Sequence, residues 1–93
     1  MTDLPDACSK DVAIVNDLGL HARAAAAIAK MASTAKSKVW ISREGETVDA
    51  SDILDILTLG CEKGTMITIR VDDPEDQDLL NRMAALVENG FGE

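Results

Sequence analysis

Asn16-Asp17-Leu18-Gly19-Leu20-His21-Ala22-Arg23-Ala24-Ala25-Ala26-Ala27-Ile28 is the stretch whose reading decides the fold, because periodicity changes within it. Just before it, Asp11 to Asn16 holds Val12, Ala13, Ile14 and Val15, a partly β-branched run that reads as a strand. Gly19 marks a bend in the loop that follows. From Ala22 onward, every residue to Ile28 except Arg23 is alanine or isoleucine. Ala25, Ile28, Met31, Ala32 and Ala35 then recur at helical spacing, which predicts a helix from Ala22 to about Ala35. Its small side chains would let it lie close to a sheet.

Outward from this junction, residues 1–10 are polar, contain Pro5 and Cys8, and read as a loose lead-in. Lys38 to Ser42 predicts a second strand, Arg43-Glu44-Gly45-Glu46 a turn, and Thr47 to Asp49 a third strand closing a hairpin. Ser51-Asp52 supplies an N-cap for a short helix carrying Ile53, Leu54, Ile56, Leu57 and Leu59, with Gly60 as its stop. Ile56 and Leu59 are expected in the core, and Leu54 and Leu57 partly exposed. Met66 to Val71 alternates, with Ile67, Ile69 and Val71 on one side and Thr68 and Arg70 on the other. Asp73-Pro74 opens a last helix that should bury Leu79, Leu80, Met83, Leu86 and Val87 and end at Gly90, with Phe91 folding back onto it. The order β-α-β-β-α-β-α predicts an α+β fold: a four-stranded antiparallel sheet, open on one face, with three helices on the other.

Ninety-three residues are expected to form one domain, spanning 1–93. Trp40 and Phe91 are the only aromatic residues, so the core must be aliphatic. Seventeen acids against nine bases give a formal net charge of −8, which argues against nucleic acid and anionic membranes as partners. No apolar stretch nears 18 residues and the start carries no signal-peptide pattern, so the expected location is the cytoplasm, without membrane insertion. Cys8 and Cys61 lack close spacing and read as free thiols. With one histidine and no CxxC there is no metal-ligand set. Trp40 stands opposite Val39 and Ile41 in the alternation, which leaves two readings: a ring on the uncovered sheet face, open to another molecule, or, the favoured one, a ring packed against strand neighbours.

The only histidine, His21, falls where the first helix should begin. A helix N-terminus offers unpaired N–H groups and the positive end of the dipole, a seat for phosphate. A neutral imidazole is nucleophilic, and such a position favours the uncharged ring. Arg23, two residues on, can add a guanidinium to the same anion. One short segment thus combines a nitrogen nucleophile, an anion seat and a cation, the parts of a carrier of phosphoryl groups on histidine.

Gly19-Leu20-His21-Ala22-Arg23 resembles the phosphorylation motif of HPr, the histidine-containing phosphocarrier family of the bacterial phosphoenolpyruvate-dependent phosphotransferase system. Val48 to Gly60 resembles the family's second signature, and Gly64 to Ile69 its last strand. The match runs in register from about residue 10 to 90. It implies that His21 takes a phosphoryl group through Nδ1 from phosphorylated enzyme I and passes it to an enzyme IIA-type acceptor, without a cofactor. Arg23 and the backbone N–H groups of Ala22, Arg23 and Ala24 would hold the group. Leu18, Leu20, Ile53, Leu54 and Leu57 would form the face on which these partners dock a monomeric carrier.

Two positions depart from the family pattern. Ala24 stands where sugar-transport members usually carry proline, and alanine there resembles the nitrogen-related branch. Asp52 occupies the place of a regulatory serine in many Gram-positive members; it cannot be phosphorylated there, although Ser51 lies beside it. Two other readings compete. The chain could be a regulatory docking module that uses His21 phosphorylation only as a switch, or a small enzyme with His21 as general base. Retaining both His21 and Arg23 favours the carrier over the first, and the lack of further catalytic groups weighs against the second.

Overall fold

The computed structural model describes residues 8–93. Strands β1 (Ser9–Ala13), β2 (Val39–Arg43), β3 (Glu46–Asp49) and β4 (Met66–Val71) form one antiparallel sheet in the order β1-β4-β2-β3. Helices α1 (Ala22–Ala32), α2 (Ile53–Thr58) and α3 (Gln77–Glu88) cover one face of it. Element order, sheet type and the placing of the helices agree with the pattern read from the chain.

The alternation in β4 sets the sheet's two faces. Ile67, Ile69 and Val71 are buried under the helices, with Val39 and Ile41 beside them on β2. Ile28 and Ala25 from α1, Ile56 from α2, and Leu80, Met83 and Val87 from α3 close the core. Each large aliphatic side chain hidden here contributes about 1.5–3 kcal/mol. The other face is open and polar: Asp11 and Thr68 share a hydrogen bond, as do Ser42 and Thr47. Trp40 lies on that face but is engaged. Its indole N–H donates to Asp72, and Lys38 and Arg70 stand 5.9 and 5.8 Å from the ring centroid.

Several boundaries differ from the sequence reading. Strand β1 starts at Ser9 and ends at Ala13, so the lead-in is shorter than ten residues, and Cys8 is buried rather than part of a polar tail. Residues 1–7 of that lead-in lie outside the described residues. Cys61 is also buried, and both thiols are unpaired. Burial raises the Cys61 pKa. Helix α1 stops at Ala32, three residues before Ala35, because the Ser33 and Thr34 hydroxyls bond back to the carbonyls of Lys30 and Met31. Strands β2 and β3 each reach one residue further into the turn, to Arg43 and from Glu46. Asp73-Pro74 opens a 3₁₀ turn, Pro74–Asp76, and α3 follows it; in α3 Ala84 is buried where Leu86 was expected, and Leu86 is half-buried.

Asp76 explains that 3₁₀ turn. Its carboxylate is buried and accepts the N–H groups of Lys36 (2.9 and 3.1 Å) and Ser37 (3.2 Å), donors left by the chain as it leaves α1. After α3, Gly90 and Phe91 take positive φ (65° and 59°), which turns the chain back and brings Glu93 beside the start of α1. Among the described residues, no helix is long and apolar enough to cross a membrane.

Candidate functional site

The loop from β1 to α1 is pinned at both ends of its bend. The Ile14 N–H donates to Thr65 O, and the Leu20 N–H donates to Cys61 O (2.8 Å). Gly19 lies between them at φ +67°, and a Cβ there would stand 2.5 Å from the Cys61 carbonyl oxygen. Only glycine allows this approach. The loop therefore delivers residue 21 to one fixed place at the head of α1.

His21 is the N-cap of α1, with extended backbone (φ −77°, ψ 177°) and a carbonyl that accepts the Ala25 N–H at 2.8 Å. Its Nδ1 accepts the Arg23 N–H at 3.2 Å, the contact a side-chain cap makes. Nδ1 thus carries a lone pair and the ring proton belongs on Nε2. Nε2 is paired with the Glu93 carboxylate. The other Glu93 oxygen accepts from Asn16 Nδ2 (3.1 Å), and Nδ2 also donates to Gly19 O (2.8 Å). These bonds from His21 and Asn16 hold the Glu93 carboxyl below its ordinary pKa, so it stays charged. The His21 side chain remains 25% exposed.

Arg23 is exposed, and its guanidinium has no hydrogen bond or ion pair among the described residues. The N–H groups of Ala22 and Ala24 find no backbone acceptor among them either. Nucleophile, cation and open amides all belong to the first turn of one helix.

The residues expected to form a docking face divide. Leu18 and Leu54 are 71% and 73% exposed, Ile53 is exposed and Leu57 half-buried, with α2 packed against α1. Leu20 does not belong with them: it is 6% exposed, because its N–H bond to Cys61 turns the side chain into the core. Ile56 and Leu59 are buried, as expected. Asp52 caps α2 by accepting the Asp55 N–H at 3.1 Å. Asp49 just before it receives both the N–H and the hydroxyl of Ser51 and the Lys38 ammonium, which lower its pKa to about 2.

Sequence reading missed Glu93 and Asn16. Glu93 is 72 positions from His21, and no local spacing connects them. The signal was the glycine pair around Phe91, which implied a return of the chain without saying onto what.

The comparisons with known proteins identify the family. Residues 8–89 match the family model described as the PTS HPr component phosphorylation site. Phosphocarrier protein HPr of Cupriavidus necator is 39% identical over 84 residues, covering 90% of this chain and 94% of that protein. Among solved structures, an HPr from Thermoanaerobacter tengcongensis superposes with a TM-score of 0.85 at 29% identity, covering 91% of this chain and 96% of the other. A phosphocarrier protein HPr from Bacillus anthracis gives 0.79 at 33% identity, covering 85% and 94%. With this fold and this match over nearly all of its described length, the chain belongs to the HPr family of phosphocarrier proteins of the phosphotransferase system.

Proposed function

We propose that the chain is a cytoplasmic carrier that accepts a phosphoryl group on Nδ1 of His21 from phosphorylated enzyme I and passes it to an enzyme IIA-type acceptor. The observation that carries this reading is the orientation of the ring: Nδ1 towards the open amides of α1, Nε2 towards Glu93. In the step, the Nδ1 lone pair forms a bond to phosphorus as the bond from phosphorus to the donor breaks. The electron pair of that bond leaves with the donor, and the ring keeps its Nε2 proton and gains positive charge. The Glu93 carboxylate faces that charge, as a buried acid does behind a catalytic imidazole. The N–H groups of Ala22, Arg23 and Ala24 and the Arg23 guanidinium would receive the phosphoryl oxygens. Alignment of donor, phosphorus and acceptor supplies the rest. Leu18, Ile53, Leu54 and Leu57 offer the apolar surface on which such partners would rest.

The reading is tested by mixing the protein with enzyme I and labelled phosphoenolpyruvate. Wild type should take up acid-labile, base-stable label, and His21→Ala none. Equal labelling of the two rejects it.

Serine-kinase control at the start of α2 is absent in this reading. Asp52 is already the cap, and a phosphate on Ser51 would stand against the Asp49 carboxylate that the hydroxyl now contacts at 2.6 Å. Incubation with an HPr kinase and ATP should leave Ser51 unlabelled; stoichiometric phosphoserine there would refute the point.

A further inference from the structure

Asn16 is buried, and the phosphoryl step described above does not use it. Its side chain joins two segments that meet beside the imidazole. Nδ2 donates to Gly19 O (2.8 Å) within the β1–α1 loop and to Glu93 Oε1 (3.1 Å) on the returning chain. That return segment lies against Asn16: a Cβ on Gly90 would stand 3.6 Å from the Asn16 Cβ. The orientation of the amide is fixed. Turned over, Oδ1 would face the Gly19 carbonyl and the Glu93 carboxylate, two acceptors. As it stands, Oδ1 is enclosed without a donor, which is costly, while both N–H groups are engaged. The turn itself does not need this amide, since the Gly19 N–H already donates to Asn16 O and the Leu20 N–H to Cys61 O. Glu93 completes the chain of bonds. A carboxylate only accepts, so one oxygen takes the Asn16 N–H and the other takes the ring N–H at Nε2. Nδ1 meets only the Arg23 N–H at 3.2 Å, a bond at the long limit that by itself fixes the tautomer weakly.

We propose that Asn16 is a positioning residue for phosphoryl transfer: its amide, oriented by the Gly19 carbonyl, holds the Glu93 carboxylate so that Nε2 keeps the ring proton and Nδ1 keeps its lone pair for phosphorus. This rests on the carrier reading above and goes beyond it by assigning the group that sets the tautomer. The nucleophile is then prepared from the far side of the ring, through two bonds, by a residue that touches neither the imidazole nor the phosphoryl group.

Glu93→Gln sets the two ends of this chain against each other. Asn16, held by Gly19 O, presents an N–H to position 93 and so takes the oxygen of the new amide. The NH₂ group is left facing Nε2, which must then accept, and the ring proton is driven to Nδ1, the atom that has to attack. Glu93→Ala leaves Nε2 to water and the tautomer to the Arg23 N–H alone. The near-isosteric change is therefore the more harmful one. Lost packing predicts the reverse order, and lost charge predicts no difference.

The experiment measures single-turnover transfer from phosphorylated enzyme I to wild type, Glu93→Ala and Glu93→Gln, and to both Glu93 variants in an Asn16→Ala background. Histidine nitrogen-15 shifts of the unphosphorylated proteins at about pH 9, where an imidazole is uncharged, report the tautomer. Glu93→Ala should lower the rate about threefold and Glu93→Gln about 30-fold, with Nδ1 protonated in Glu93→Gln alone. Without the Asn16 amide, the new amide at position 93 can turn over and accept from Nε2, so the two rates should come within about twofold of each other. A rate for Glu93→Gln equal to or above that for Glu93→Ala overturns the proposal, as does an Nδ1 that stays unprotonated in it. The same gap with and without the Asn16 amide also overturns it, leaving Asn16 a turn residue only. Should Asn16→Ala fail to fold, the two Glu93 variants and their nitrogen shifts decide the matter. If wild type takes no label, the carrier reading fails and the positioning role falls with it. Labelled wild type with the order of the Glu93 variants reversed sinks the positioning role alone.

Discussion

Arg23→Ala should lower kcat/KM for phosphoryl transfer to His21 by about 100-fold, equivalent to about 2.7 kcal/mol of transition-state stabilisation. The guanidinium projects from the first turn of α1, two residues from the nucleophile, and makes no hydrogen bond or ion pair among the described residues. Nothing in the fold depends on it, so helix content and Tm should match wild type. Negative charge spreads over the phosphoryl oxygens in the transition state, and an unpaired guanidinium needs no other bond broken before it meets them. Arg23→Lys should recover part of the rate, since a point charge replaces the planar fork. Transfer kinetics with enzyme I, run beside thermal melts, check this. An unchanged rate, or a loss of helix in step with the loss of rate, would contradict the role assigned to Arg23.

Gly19→Ala should destabilise the protein by about 3 kcal/mol, a fall in Tm of roughly 15 °C. Two costs add. An L-residue at φ +67° is strained, and its Cβ would meet the Cys61 carbonyl oxygen at 2.5 Å and Glu62 Cα at 3.0 Å. Both neighbours are backbone, so relief means moving one loop away from the other. That movement breaks the Leu20–Cys61 hydrogen bond, and transfer should slow as His21 leaves its place. Gly60→Ala is the matched control. Gly60 has nearly the same φ, +64°, with nothing within 4 Å, so only the conformational cost of about 1 kcal/mol remains. Urea melts of the two variants separate contact from conformation; equal losses would show that the Cys61 contact carries no weight.

The parts of the fold legible in the chain were those with strong local patterning. Strand β4 follows from strict alternation, and both its limits match the sequence reading, Met66 and Val71. The placing of His21 at a helix start follows from a loop glycine followed by an alanine run. Element ends were less legible because single hydrogen bonds decide them: the Ser33 and Thr34 hydroxyls end α1 three residues before the apolar stripe does. Strand β1 takes in Ser9 and Lys10, polar residues whose pairing with Arg70 and Ile69 comes from tertiary structure. The same division holds at the site. His21 and Arg23 are close in sequence and could be joined by spacing. Glu93 reaches them only because the chain turns back after α3, and the burial of Leu20 depends on a loop 41 positions away, at Cys61. Local spacing carries no information about such contacts.

The claim on which the mechanism depends is that Nδ1, and not Nε2, takes the phosphoryl group. Nε2 is engaged by Glu93, whereas Nδ1 meets a single N–H at 3.2 Å and faces the head of α1. Nitrogen-15 NMR of the protein labelled in its one histidine, recorded before and after phosphorylation by enzyme I and phosphoenolpyruvate, reads the site directly through phosphorus coupling. Coupling at Nδ1, with Nε2 still protonated, is the predicted result; coupling at Nε2 would contradict it.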